Sequence, residues 1–253
     1  MDPAMKYVLT LIVFLLLILA MWLWVDPIPQ DLAYHQFADA IPMLGVNNFW
    51  NVMSNLPFVV VGLMGLWSLS QGQLRVANDY RVFYWVFFVG IVAVGFGSSW
   101  YHLNPNNETL VWDRLPMTVA FMAFFSVILA EHVNSKLGKR LLWPLVLIGF
   151  ASIAYWQYSE SIGAGDLRWY GLVQFLPLIM IPIIFIAYPK KFSHIHLLWL
   201  FLGMYVVAKL LEHFDGQIFA GLSVISGHSL KHVAAAIGVY FYWRYLRIRV
   251  GIH

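Results

Sequence analysis

The chain has no cysteine and is poor in charge of either sign. Without a thiol there is no disulfide framework, thiolate nucleophile or thiolate metal site, so any metal must be held by His, Asp, Glu or hydroxyl groups. Only 11% of the 253 residues are charged and 61% are hydrophobic, whereas a soluble domain carries roughly 25% charged residues. That deficit, with a mean hydropathy of +0.74, points to a membrane protein. The net charge of +3 does not point to nucleic acid, because the basic residues gather on no soluble face. Linkers, low-complexity tracts and internal repeats are also missing. The chain therefore reads as one integral membrane domain over residues 1–253. Nothing in it sets an oligomeric state.

What is present is a series of apolar runs. Residues 7–25 form the first. A cleaved signal peptide is the competing reading, since Lys6 precedes the run. The run is longer than an h-region of roughly 7–15 residues, and no small-x-small cleavage site follows it, which favours a helix. Further runs lie at 49–69, 82–103, 113–132, 141–158, 170–188, 195–213 and 227–246. The expectation is an all-α polytopic transmembrane bundle of eight spans joined by short loops. With a cytoplasmic N-terminus, one side then carries Lys6, Arg75, Arg81, Lys136, Lys139, Arg140, Lys190, Lys191, Arg244, Arg247 and Arg249. The loops of the other side carry only Arg168. By the positive-inside rule both termini are cytoplasmic. The missing cysteine and short loops are compatible with a bacterial inner membrane.

Residues 26–48 form the first outer segment, which has no Lys or Arg but holds Asp26, Asp31, His35 and Asp39. Prolines at 27, 29 and 42 argue against one continuous helix. The segment reads first as a solvated outer loop; the alternatives are that it caps the outer face or supplies hard oxygen ligands for calcium.

Five groups capable of chemistry fall near the outer ends of spans. Ser98 and His102 are spaced i, i+4, as are His228 and His232, so each pair shares a helix face. Asp113 follows at the start of the next span. Ionisable groups at membrane depth are expensive and mark functional sites by default. Three imidazoles with an open position form the ligand set of a catalytic zinc, which lowers the pKa of a bound water towards about 7. Asp113 is then the candidate general base, and Ser98 a donor to a developing oxyanion. Blander readings stand beside these. Singly, His102 is an interfacial histidine bonded to a carbonyl. Asp113 caps a helix with Pro116 in its first turn, and Ser98 bonds back to a carbonyl or aids packing. Lys209, Glu212 and His213, with Asp215 beyond, read as a Lys209–Glu212 pair or an outer rim network. Lys231 either snorkels or pairs with Glu212, and His132, His194 and His196 lie at the inner surface.

These residues, with Leu115-Pro116-Met117 after Asp113 and Asn51-x2-Ser54-Asn55 opening the second span, resemble the CREST superfamily. That superfamily includes alkaline ceramidases, GPI-remodelling proteins and the progestin and adipoQ receptors; the alkaline ceramidase branch is the most similar. The resemblance implies a seven-helix core over residues 48–253, with residues 1–25 as an added N-terminal helix. It implies zinc on His102, His228 and His232, proton transfer by Asp113 and transition-state stabilisation by Ser98. The implied reaction is hydrolysis of a lipid amide entering from the bilayer, as in ceramide giving sphingoid base and fatty acid. Two positions depart from that branch. Asn48 stands where an acidic residue precedes Phe-Trp-Asn, and Arg114 where an acidic residue often follows the catalytic Asp. The rival readings are a zinc-containing lipid receptor or sensor, a hydrolase of ester lipids and, third, a transporter.

Overall fold

A computed structural model describes residues 2–252 and is all-helical among them, with two isolated β-bridges and no strand. Long apolar segments have this one outcome in lipid, where every backbone N–H and C=O must be satisfied within the segment. The helices are α1 (Pro3–Trp24), α2 (Phe49–Met53), α3 (Leu56–Ser70), α4 (Arg81–Leu103), α5 (Asn107–Ile128), α6 (Ser135–Ser161), α7 (Arg168–Ala187), α8 (His196–His213), α9 (Asp215–Leu222) and α10 (Gly227–Ile248). Six membrane-length elements are apolar enough to cross a bilayer, α2 with α3 and α5 with its π-helical end each counting as one. A seventh qualifies if α8 and α9, bent by 75°, are one broken span. The 22 residues of α10 reach about 33 Å, enough to cross. However, its two histidines, Lys231, Arg244 and Arg247 keep it below the apolar threshold. The all-α membrane architecture therefore holds, while length and composition count six or seven spans rather than the expected eight. The protein is an integral membrane protein.

Two boundaries differ from expectation in ways that matter for the site. The run 49–69 is interrupted, since α2 ends at Met53 and α3 begins at Leu56 with Pro57 in its first turn. Asn51, Ser54 and Asn55 are buried at this break. The next difference corrects the reading of Asp113 as a helix cap. α5 starts at Asn107, because Asn106 and Thr109 form a capping box: Thr109 N donates to Asn106 Oδ1 at 2.9 Å, and Asn106 N to Thr109 Oγ1 at 3.2 Å. Asp113 thus stands in the second turn, and Pro116 lies inside the helix. Its carboxylate is not engaged in capping.

Helix α4 packs along α5, and α10 along α8, with α3 joining both pairs. Small residues set how closely these helices approach. A Cβ on Gly97 would stand 2.0 Å from the Trp112 carbonyl oxygen of α5, and one on Gly227 would stand 2.1 Å from the Leu211 carbonyl oxygen of α8. Each glycine immediately precedes a residue named above, Ser98 or His228. Helix α1 lies outside the bundle against α7. Helices α7 and α8 meet through single contacts, Gln174 Nε2 donating to Tyr205 Oη at 2.5 Å and Phe185 packing on Trp199, rather than along their length.

The opposite end is closed by an ion pair. Arg249, 1% exposed, donates to both carboxylate oxygens of Glu131 at 2.6 Å and to the Arg75 carbonyl at 2.9 Å. Tyr84 donates to the same carboxylate. Glu131 sits in the π-helical turn Leu129–Val133 that ends α5, a local widening that turns this carboxylate inward. Two predictions follow from these contacts. Arg249→Ala leaves Glu131 as an unpaired buried charge and costs about 3–5 kcal/mol, read as a lowered unfolding temperature in detergent. Gly97→Ala forces α4 from α5, lowering stability by about 1–3 kcal/mol in the same measurement.

Candidate metal centre and its cavity

α4 supplies Ser98 and His102, α5 supplies Asp113, and α10 supplies His228 and His232 one turn apart. One ring nitrogen from each of the three histidines lies within 4.8 Å of the others, and all three side chains are buried. His102 Nδ1 and His228 Nε2 have no hydrogen-bond partner. Buried polar atoms are otherwise nearly always paired. Converging neutral imidazoles with free lone pairs fit a metal such as zinc, which takes nitrogen ligands readily. The group could therefore hold a metal ion.

The surroundings orient these rings. Ser54 Oγ lies 2.8 Å from His232 Nδ1 and donates to the Asn51 carbonyl at 3.2 Å. The hydroxyl is thus placed to accept from Nδ1–H of His232, leaving Nε2 with its lone pair. Ser229 donates to Asn51 Oδ1 at 2.8 Å, and Asn51 Nδ2 to the Asp39 carbonyl at 2.7 Å. Asp215 accepts from His228 N at 2.6 Å and from Ala38 N at 3.2 Å, tying the start of α10 to the segment above it. Asn51 and Ser54 belong to the motif opening the second span, yet their contact with α10 is not readable from their spacing. Polar residues inside an apolar run were the available signal.

Residues 26–48 cover this end of the bundle. The ring of Phe37 packs against both His102 and His228, at centroid distances of 4.7 and 4.6 Å. His35 meets Tyr101 Oη and Asn107 Oδ1, both at 2.9 Å. The acidic residues of the segment act singly: Asp31 accepts from Ala33 N, and Asp39 from Ile41 N. Burial raises the Asp39 pKa above the usual carboxylate value, and Asp215 nearby adds to the effect against the Ile41 bond. Among the described residues, the group of three or more His, Asp or Glu gathered at metal-binding distance is the histidine trio.

From this head a cavity of about 380 Å³ runs into the bundle. Ser98, Asp113, Arg114, Lys209, Glu212, Lys231 and His232 line its polar end, and Phe87, Phe124, Phe201 and Val239 its apolar depth. All five expected site residues thus meet at one end, three of them on the cavity wall. Ser98 and Asp113 both line this cavity. Ser98 makes no bond back to a carbonyl among the described residues, a contact that Ser99 makes instead, to Gly95 at 2.8 Å. Lys209 and Lys231 both pair with Glu212, the first at 2.7 Å. The expected Lys209–Glu212 pair is present, and with Lys231 it lines the cavity instead of forming an outer rim.

An all-helical membrane bundle with a buried three-histidine centre at the head of an apolar cavity is the class that fold and site define. A family profile described as ceramidase matches residues 43–250, and the chain belongs to that family. A putative alkaline ceramidase of Dictyostelium discoideum is 26% identical over 130 residues. This likeness covers 42% of the chain and 44% of that protein, less than half the relative's length. Ser54→Ala should weaken metal affinity by about 10–100-fold, because the His232 ring loses its orienting partner. Metal content after chelator competition measures it.

Proposed function

We propose that this protein is a zinc-dependent hydrolase of an amide-linked membrane lipid of the ceramide type. One observation carries the reading: the buried histidine trio adjoins, through His232, a largely apolar cavity whose wall also presents Asp113 and Ser98. His102, His228 and His232 would hold the zinc. Bound there, zinc would supply Lewis acidity and a water of lowered pKa.

The remaining chemistry falls to the chain. Asp113, free of any capping duty, takes a proton from the attacking water and delivers it to the leaving nitrogen as the C–N bond breaks. Ser98 donates to the oxygen that becomes negative as the carbonyl carbon turns tetrahedral. The apolar depth holds the acyl or sphingoid chain, and the sparse contact between α7 and α8 offers a lateral route from the bilayer. Phe37 and its neighbours shield the centre from bulk water. An outer-side site with cytoplasmic termini agrees with Arg75 and Arg249 clustering at the end that Glu131 closes. The seven-helix core over 48–253 carries the three histidines, Asp113 and Ser98, Phe37 comes from the segment before it, and α1 lies outside it.

The test compares lipid extracts by mass spectrometry before and after incubation with purified protein. Wild type releases a free fatty acid, and Asp113→Asn slows release by about 10²–10⁴-fold while retaining metal. His228→Ala loses both metal and turnover. Full turnover by a metal-free His228→Ala protein would sink the proposal. Lipid binding without measurable turnover by metal-loaded wild type would favour a receptor.

A further inference from the structure

Arg114 is an unusual residue to find beside this site. It is 6% exposed, yet among the described residues no carboxylate reaches ion-pair distance of its guanidinium. Its one side-chain hydrogen bond runs from Nη2 to Gln30 Oε1 at 2.7 Å, and Nη1 has no partner. The side chain is nonetheless firmly placed. Its guanidinium carbon lies 4.5 Å from the centre of the Trp156 ring, 4.8 Å from Tyr170 and 5.6 Å from Tyr34. Gln30 is itself held, its N–H donating to Glu160 Oε1 at 2.6 Å and its Nε2 to the Asp31 carbonyl at 3.0 Å.

A buried cation without a counter-charge is costly in a membrane bundle, and aromatic faces offset only part of that cost. Here the cation adjoins Asp113 in sequence and lines the polar end of the cavity. The other cations there, Lys209 and Lys231, share Glu212 between them. With Asp113 counted, the polar end therefore holds three cations and two carboxylates, before any metal is considered. A guanidinium with an unspent N–H edge matches the planar, two-oxygen geometry of an oxyacid.

We infer that the cavity selects a lipid amide whose polar end carries an anionic oxyacid group, carboxylate or phosphate, and that Arg114 recognises it. This rests on the amide-hydrolase reading above for the scissile bond, but not for the anion preference itself. A neutral head group leaves the Arg114 charge uncompensated, whereas an anionic one supplies the missing counter-ion and accepts from its free edge.

The experiment uses full-length protein in neutral-lipid nanodiscs and two matched probe pairs, N-palmitoylglycine against N-palmitoylethanolamine and ceramide 1-phosphate against ceramide. Binding is read by displacement of a fluorescent lipid, and turnover by released fatty acid. Wild type should bind the anionic member of at least one pair about tenfold or more tightly than its neutral partner. The pair that shows the difference tells carboxylate from phosphate. Arg114→Gln should shrink the ratio to about twofold or less, and Arg114→Lys should restore part of it. A purely structural role for Arg114 would instead lower binding of both members equally and leave the ratio unchanged. Equal binding of both members of both pairs by wild type overturns the inference without needing any variant, as does a ratio that survives Arg114→Gln. Anion preference without fatty-acid release from any probe keeps the anion site and refutes the hydrolase reading. Release from neutral probes at the anionic rate does the reverse.

Discussion

Nitrogens from His102, His228 and His232 lie within 4.8 Å of one another inside a bundle that lipid surrounds. Keeping three imidazoles that close requires the C-terminal end of α4 and the N-terminal end of α10 to come together, and the neighbouring elements are shaped to allow it. Gly97 and Gly227 remove the side chains that would hold α4 from α5 and α10 from α8. The interruption between α2 and α3 turns Asn51 and Ser54 towards α10. The 75° bend between α8 and α9 leaves room for Asp215 to reach the His228 amide. Each device gives up regular helix or apolar contact, and each serves the trio.

The two ends of the bundle differ in how their buried charges are matched. At the end away from the histidines Glu131 and Arg249 are paired with each other, and Tyr84 donates to the same carboxylate, so these two charges are matched. At the histidine end imidazole nitrogens and one guanidinium nitrogen are left without partners, and towards the clamp the unpartnered atoms are His132 Nε2, Tyr242 Oη and Tyr245 Oη. A low-dielectric interior makes an unmatched group expensive, so unmatched groups belong where a ligand can satisfy them. The aromatic floor of Phe87, Phe124, Phe201 and Tyr242 lies between the two ends. A chain-shaped apolar ligand can enter that interval without disturbing the inner clamp.

Much of this was legible beforehand, and the reasons are specific. The apolar runs could be placed to within a few residues at most boundaries, because a segment without water has no alternative to helix. The i, i+4 spacing of Ser98 with His102 and His228 with His232 put each pair on one face without reference to packing. Asp113 was misplaced at a helix start because Pro116 drew the boundary towards it. The Asn106–Thr109 capping box sets the true start at Asn107, six residues earlier, through side-chain bonds that compete on equal local terms. Spans with interior polar residues blurred the count, and α10 is the clearest case.

Hydropathy and helical period are local quantities, and they determined the helical membrane class, the segments and the residue types available for chemistry. Whether those residues share a site depends on distances between segments far apart in the chain, which local patterns do not contain. Ser54 meets His232 across 178 residues, and Arg114 meets Gln30 across 84. Only the packing of α2, α5 and the covering segment around α10 decided those contacts. With them it decided that Glu212 has counter-ions on two elements and that Arg114 has none.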